Sequence, residues 1–224
     1  MQTFVVRVWL PDRPGALGQV ASRIGAVRGD VVGIDILERG AGRAIDELIV
    51  ELPDADLVSL LVAEIDQVDG VDVEDVRPAA GEAQDPRLDA LETAAMLVGT
   101  GSAADLLSSL VAHARRDFAA EWAVGGDLDE RVLLASHGSP PPPGWLVAFV
   151  EGSQSSEAVC SGECGPDDVA WAALGETRLA LLLGRQGRPF RSRERHQLGA
   201  LARIAQYVLS VLPADARALR PSPV

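Results

Sequence analysis

The first 80 residues alternate between strand-like and helix-like patterns of apolar positions. Residues 3–9 place Phe4, Val6 and Val8 on one face and Val5, Arg7 and Trp9 on the other, which is typical of a strand with apolar residues on both faces. After a turn rich in proline and glycine, a helical stripe follows, made of Leu17, Val20, Ala21, Ile24 and Val27. The segment Arg28-Gly29-Asp30 is a suitable end for this helix.

A hairpin, a second helix and a last strand complete this part of the chain. Residues 31–38 are rich in β-branched side chains, and residues 44–52 place Leu48, Val50 and Leu52 on one face, so we predict two strands joined by a turn at 39–42. After the candidate caps Asp54 and Asp56, a second stripe consists of Leu57, Leu60, Leu61, Ile65 and Val68. Residues 71–76 predict the last strand. The order βαββαβ predicts a ferredoxin-like domain over residues 1–79, with two crossover helices on one face of an antiparallel sheet, in an α+β protein.

A linker is predicted at residues 80–86, where small residues, Gly, Pro and acids show no apolar periodicity. In the second domain, residues 87–213, two helices are predicted from the stripes Leu88, Leu91, Ala95, Val98 and Leu106, Leu107, Leu110, Val111, Ala114, with Ser102 capping the latter. Strand-like runs follow at 118–124, 131–137, 145–150, 169–174 and 178–183, and the prolines 140–143 predict an exposed extended loop. Ser192 is the predicted cap of a last helix ending at Leu212, and residues 214–224 are a predicted flexible tail.

Composition narrows the classes of partner. The chain has 224 residues with 47% hydrophobic content, enough for two packed cores. Thirty-three acidic residues oppose 20 basic ones, all arginine, and the net charge of -13 disfavours nucleic acid. No apolar run reaches about 18 residues, so we expect a cytoplasmic protein that does not enter a membrane. The spacing of Cys160 and Cys164 matches neither a zinc site nor a redox pair, and we expect structural thiols, neither a metal site nor a cofactor.

The turn Leu10-Pro11-Asp12-Arg13-Pro14-Gly15-Ala16-Leu17 joins the first strand to the first helix. Pro14 fixes a backbone dihedral near the helix start, and Gly15 lets another group approach the main chain. The free N–H groups of the first turn and the helix dipole can hold a carboxylate, while Asp12 could pair with an ammonium, so an amino acid would satisfy both. The alternative is that Asp12 merely caps the helix and Gly15 merely turns the chain.

This turn, within the βαββαβ order of residues 3–77, resembles the ACT domain family, whose first loop typically shows Asp-x-x-Gly-x-Leu or Asp-Arg-Pro-Gly. The resemblance implies a regulatory homodimer that holds a free amino acid between the first loop of one copy and the second strand of its partner. By position, the ligand-binding residues are Leu10, Pro11, Asp12, Arg13, Pro14, Gly15, Ala16, Leu17, Val31, Val32, Gly33, Ile34 and Asp35. Serine-binding members carry polar side chains where Leu10 and Val31 stand, so an aliphatic amino acid fits better. Other members bind nothing and only dimerise.

The carboxy-terminal half resembles a GAF domain. The similarity lies in the runs 168–174 and 178–185, followed by Arg188-Pro189-Phe190-Arg191-Ser192-Arg193-Glu194-Arg195 at the last helix, with Glu194 one place early for a capping box. It implies a second small-molecule pocket or a dimer interface in which the first and last helices pair between subunits. The ligand and the protein that receives the signal stay open.

Catalytic alternatives have weaker support. His113, His137 and His196 are each expected to be surface or packing residues, and Ser136 and His137 face opposite sides of a strand. We therefore predict a sensor that is not an enzyme; a minor hydrolase built on Ser136 or Cys160 is the remaining catalytic alternative. Glu47 and Glu51 are expected on a solvated surface. The arginines Arg185, Arg188, Arg191, Arg193 and Arg195 are expected to form salt bridges within the protein or across a dimer.

Overall fold

The computed structural model describes residues 1–79, 86–160, 166, 168–175, 178–217 and 219. The chain divides into two compact units, Met1–Leu88 and Asp89–Val224. In each unit, helices pack on an antiparallel four-stranded sheet, so the protein belongs to the α+β class, as predicted. Most of the predicted linker, residues 80–85, lies outside the described residues.

Unit 1 has the predicted βαββαβ order. Its elements are β1 (Gln2–Pro11), α1 (Ala16–Ala26), β2 (Asp30–Gly40), β3 (Arg43–Leu52), a 3₁₀ turn (Ala55–Leu57), α2 (Val58–Ile65) and β4 (Asp72–Pro78). The sheet order is β2-β3-β1-β4, with every neighbouring pair antiparallel, and this is the ferredoxin-like arrangement. Strand β2 is therefore an edge of the sheet.

The core of unit 1 lies between the sheet and its two helices. Alternate residues of the central strands point into it, and one stripe of each helix covers them. The fully buried members are Val6, Val8, Val20, Ile24, Leu48, Val50, Leu52, Leu61 and Ile65. The apolar periodicity of the sequence predicted this core because each element has one clearly apolar face.

The opposite face of this sheet carries a buried ion-pair network centred on Arg7, whose side chain is fully buried. Arg7 donates to Glu47 Oε1 from Nε at 3.0 Å and from Nη2 at 2.8 Å, and Arg77 Nη2 donates to the same oxygen at 2.9 Å. Trp9 Nε1 donates to Glu74 Oε1 at 3.1 Å. The expectation that Glu47 lies on a solvated surface is wrong, because Arg7 and Arg77 hydrogen-bond to its carboxylate on this face of the sheet.

Unit 2 is built in three layers. Its elements are α3 (Pro86–Val98), α4 (Ala103–Asp117), β5 (Trp122–Asp127), β6 (Val132–His137), α5 (Pro143–Gln154), α6 (Glu157–Cys160), β7 (Val169–Ala173), β8 (Leu179–Gly184) and α7 (Ser192–Val211), with a 3₁₀ turn at Ala214–Arg217. The sheet order is β6-β5-β8-β7. Helices α4 and α7 pack on one face of the sheet, and α5 contributes to a second apolar cluster with Trp122, Val124 and Leu182 on the other.

Two of the predicted strand runs are corrected. Residues 145–150 belong to helix α5, in which Pro143 starts the helix and Leu146, Val147 and Val150 are the buried side chains. Trp145 and Phe149 stack with ring centroids 5.4 Å apart, a contact at helical spacing. The run 118–124 is a strand only from Trp122, since Phe118 caps the end of α4. The proline loop accordingly ends at Pro142, the residue before the helix.

The predicted stripe of α3 is helical but not buried. Leu88, Leu91 and Val98 are 50%, 68% and 61% exposed, whereas Thr93 and Leu97 are the buried side chains of this helix. Thr93 Oγ1 donates to Asp117 Oδ2 at 3.1 Å, which ties α3 to the end of α4. The apolar stripe from which this helix was predicted therefore lies at the surface.

The arginine cluster makes intramolecular contacts, as expected for Arg185. Its Nη2 donates to both oxygens of Glu194 at 2.8 Å, its Nη1 to Phe118 O at 2.6 Å, and its guanidinium lies 4.0 Å from the Phe190 ring centre. The predicted cap Ser192 is corrected: the helix cap is Arg191, whose N–H donates to Glu194 Oε2 at 2.9 Å. Glu194 thus stands at the third helical position, where a capping glutamate belongs.

Candidate functional site

The turn before α1 is held by the main chain. Asp12 N–H donates to Gly42 O at 2.9 Å, which ties the turn to the β2–β3 hairpin, and Arg13 N–H donates to Pro11 O at 2.8 Å. Gly15 is the residue before the helix and has φ 88° and ψ -14°, a left-handed conformation that favours glycine. No side chain of the described residues caps α1, so Asp12 does not have the capping role considered for it.

The start of α1 is open to approach. A Cβ atom placed on Gly15 would meet nothing within 4 Å. Ala16 N–H donates to Arg13 O at 3.3 Å and Gln19 N–H to Gly15 O at 3.1 Å. Leu17 and Gly18 lie between these two residues, and their N–H groups have no acceptor among the described residues. Two free amides at the positive end of a helix dipole can accept the carboxylate of a ligand.

The predicted loop residues divide between core and surface. Leu10 and Ala16 are 4% and 1% exposed, and both belong to the core of unit 1, so their side chains are packed inside the protein. Asp12, Arg13, Pro14 and Gly15 are exposed, and Pro11 and Leu17 are partly so. Within the described chain, the side chains of Asp12 and Arg13 have no hydrogen-bond or ion-pair partner. The exposed part of the turn is therefore the part available to a ligand.

The predicted strand residues 31–35 lie along the edge strand β2. Val31 pairs with Val50 and packs against the core, while Gly33 lies against Ile49. Val32 and Ile34 are 46% and 50% exposed, large fractions for apolar side chains of a strand. Asp35 pairs with Glu47 across the sheet. An edge strand with exposed apolar side chains can pack against a second copy of the chain.

One residue of this region was missed by the sequence analysis. Asp46 is 3% exposed, and its Oδ1 has no hydrogen-bond partner among the described residues. Burial raises the pKa of Asp46 above its ordinary value, the charge of Arg39 partly opposes this, and the charges of Asp12 and Asp35 add to it. The sequence did contain a signal for the burial of Asp46. The alternation of residues along β3 puts Asp46 on the same face as Leu48, Val50 and Leu52.

The histidines of unit 2 have structural neighbours. His113 Nδ1 lies 2.8 Å from Arg116 Nη2, and burial, followed by the charge of Arg116, lowers the pKa of His113. His196 Nδ1 lies 2.7 Å from Ser192 O, so this nitrogen carries the proton and donates it to the helix backbone. His137 follows Ser136 at the end of β6, where successive side chains point to opposite faces. Among the described residues, none of these three histidines makes a hydrogen bond to Ser136.

Unit 2 also has a small cavity between β5, β6 and α5. It is lined by residues that include Gly126, Val132, Leu133, Leu146 and Leu182, and its volume is about 10 Å³. That is room for about one water molecule, so this cavity does not hold the small molecule that the GAF resemblance implies. The prediction for Cys160 and Cys164 falls on side chains that lie outside the described part of the chain.

The described residues contain neither a metal-binding cluster nor a membrane-spanning helix. No group of three or more His, Cys, Asp or Glu side chains there is placed to hold a metal ion. No helix within the described ranges has the length and apolar character needed to cross a membrane.

Comparison with known proteins gives only distant likenesses. No family model and no curated protein matches the chain. Among solved structures, the ACT domain of GTP pyrophosphokinase from Chlorobium tepidum matches at 18% identity and a TM-score of 0.28, over 34% of this chain and 96% of that one. The regulatory subunit of aspartate kinase from Thermus thermophilus matches at 12% identity and a TM-score of 0.29, over 92% of both chains.

A third likeness is to a formyltetrahydrofolate deformylase from Pseudomonas putida, at 16% identity and a TM-score of 0.28, over 43% of this chain and 38% of that one. With TM-scores this low, the likenesses carry no argument about what this chain binds. The case for its function depends on the residues of the chain itself.

Proposed function

We propose that residues 1–79 form an ACT-type module that binds a free amino acid at the interface of a homodimer, in a cytoplasmic regulatory protein that is not an enzyme. The observation that carries the proposal is the open start of α1, where Gly15 is uncovered and the Leu17 and Gly18 amides lack acceptors. These amides would hold the ligand carboxylate, and Asp12 would lie within the same turn as a counter-charge for the ammonium.

The second copy is proposed to complete the site with its edge strand β2. The exposed Val32 and Ile34 favour an apolar partner surface, and they would place aliphatic side chains beside the ligand. This agrees with an aliphatic amino acid as ligand. In this proposal unit 2, or a separate downstream protein, receives the signal when the site is filled, and the GAF-like character of unit 2 is part of the proposal.

The deciding experiment is calorimetry of the full chain against each protein amino acid. We expect saturable heat with one or a few aliphatic amino acids, because the amides fix the carboxylate and the partner strand selects the side chain. The Asp12→Asn variant should bind the same amino acid several-fold more weakly. The matched control is Asp69→Asn, which removes an equal charge from an exposed position of unit 1 and should bind as the parent does.

The alternative function is a dimerisation scaffold that binds no ligand. It is favoured by the same exposed Val32 and Ile34, which need only a second copy to cover them. No heat with any amino acid, from a protein shown to be folded and dimeric, would establish this alternative in place of the sensor.

A further inference from the structure

Asp46 differs from the other buried charged residues of the chain. Arg7, Arg185 and Glu194 are each joined to an opposite charge at 2.8 Å, and Arg195 donates to the carbonyl oxygen of Val169 at 3.1 Å. In the described structure Asp46, at 3% exposure, has no such partner, and its Oδ1 makes no hydrogen bond. An unsatisfied buried carboxylate lowers the stability of the fold and therefore calls for an explanation, and a role in binding is one.

The strand register places Asp46 near the end of the sheet from which the turn to α1 departs. Asp46 pairs with Val8 on β1 and Ile36 on β2, and its neighbour on the same face, Ala44, pairs with Leu10 at the end of β1. Val8 and Ala44 both belong to the core that the helices cover, so Asp46 points toward the helical layer. Helix α1 starts directly after the turn that follows Leu10 and crosses over β3 to reach β2.

The charges around Asp46 favour a cation. Asp12 in the turn and Asp35 on β2 both act on it, against the single positive charge of Arg39. No group of three or more metal-binding side chains is found here or elsewhere among the described residues. The free amides of Leu17 and Gly18 lie in the first turn of α1, which follows the turn that holds Asp12, and favour an anion. The Asp46 carboxylate suits the positive group of a zwitterion, and the free amides at the start of α1 suit its negative group.

We propose that Asp46 is the residue that recognises the ammonium group of the ligand, so that unit 1 binds α-amino acids and rejects the corresponding carboxylic acids that lack the amine. This rests on the proposed function, and it names the group that makes the site selective. Asp12, which is exposed, then has a secondary role, and the buried Asp46 carries most of the discrimination because a charge-assisted hydrogen bond is stronger away from water.

The test is calorimetry of the full chain with valine, leucine and isoleucine, and with their analogues that lack the amine. We expect the parent protein to bind at least one of the amino acids and none of the analogues. The Asp46→Asn variant keeps the size of the side chain and removes its charge, and it should bind that amino acid at least about 10-fold more weakly. Asp69→Asn is the control and should bind as the parent does.

A stability measurement separates recognition from a structural role. If Asp46 serves the ligand, Asp46→Asn should melt at or above the temperature of the unliganded parent, because no partner within the protein is lost. A clearly lower melting temperature would overturn the inference in favour of a structural role. Unchanged amino-acid binding by Asp46→Asn would also overturn it while leaving the proposed function intact. If the parent protein gave no binding heat with any amino acid, both this inference and the proposed function would be overturned.

Discussion

At the scale of the residue, two neighbouring carboxylates of β3 have opposite electrostatic surroundings. Glu47 points to the face of the sheet that holds Arg7 and Arg77, and both donate to it. Asp46 points to the other face, and burial together with the charges of Asp12 and Asp35 raises its pKa against the opposing charge of Arg39. Burial alone would raise the pKa of both groups, but the arginines hold the pKa of Glu47 below its ordinary value. Glu47 and Asp46 are adjacent on β3, yet Glu47 stabilises the fold, whereas Asp46 is the residue proposed to bind the ligand.

The Glu47 contact should stabilise the fold at neutral pH. We expect Glu47→Gln to lower the free energy of unfolding by about 2 to 3 kcal/mol, because the fully buried Arg7 loses its nearest counter-charge at 2.8 Å, whereas Glu74 lies farther away at 3.7 Å. Urea denaturation at pH 7 measures this loss. Glu51→Gln, on the same face of the same strand, should change the stability by less than about 0.5 kcal/mol.

The pH dependence of this effect follows from the lowered pKa of Glu47. A carboxyl whose pKa is lower in the folded than in the unfolded state contributes stability above its unfolded pKa. That contribution is lost as the pH falls through the folded value. The difference in stability between the parent and Glu47→Gln should therefore shrink under acidic conditions, and a difference that stays constant down to acid denaturation would contradict this account.

At the scale of the element, the packing of β5 on β8 depends on a glycine. Gly184 pairs with Trp122, and a Cβ atom on Gly184 would lie 2.1 Å from Cε2 and Cζ2 of the indole ring. We expect Gly184→Ala to lower the free energy of unfolding by about 1 to 3 kcal/mol, since the ring must leave the buried cluster. Thermal or urea denaturation measures it.

The matched control for Gly184→Ala is Gly199→Ala in helix α7. There the nearest atom to the new Cβ is Arg203 Nη1 at 3.7 Å, so no clash arises. This substitution should raise the stability by about 0.5 to 1 kcal/mol because alanine is the better helix former. Equal stabilities of the two variants would show that the Trp122 contact does not limit this position.

The elements that the sequence predicted well each have one clearly apolar face. Helix α1 and strands β1 and β3 fall in this class, and their core residues follow the periodicity, although Ala21 of the predicted α1 stripe is exposed. Helix α5 was mistaken for a strand because residues 145–150 are almost continuously apolar, and such a short run has no period. Its buried residues are Leu146, Val147 and Val150, and its Trp145 and Phe149 stack on each other, contacts that no local pattern reveals.

The turn of the candidate site was predictable because glycine and proline fix its backbone locally, and Gly15 has the conformation expected of a glycine in such a turn. Asp46 was not identified, although its place in the alternation of β3 was visible. Its importance depends on which side chains surround it, and these come from β1, β2 and the turn. Contacts between distant segments set the charge balance of the site, and a single strand pattern does not contain them.

At the scale of the whole molecule, two apolar surfaces could join copies of the chain. One is the edge strand β2 with Val32 and Ile34, and the other is the exposed stripe of α3 with Leu91 and Val98. The proposed ligand site needs the first surface, because the partner strand would lie against the turn before α1. The second surface would make a dimer whose ligand sites are incomplete.

Sedimentation of two variants decides between these surfaces. We expect the parent to sediment as a dimer and Ile34→Glu as a monomer, because the glutamate would place a charge in an apolar interface. Ile34→Glu should also lose amino-acid binding, since each site draws on the partner strand. Leu91→Glu should stay dimeric and bind as the parent does. A monomeric Leu91→Glu beside a dimeric Ile34→Glu would move the interface to α3 and remove the partner strand from the proposed site.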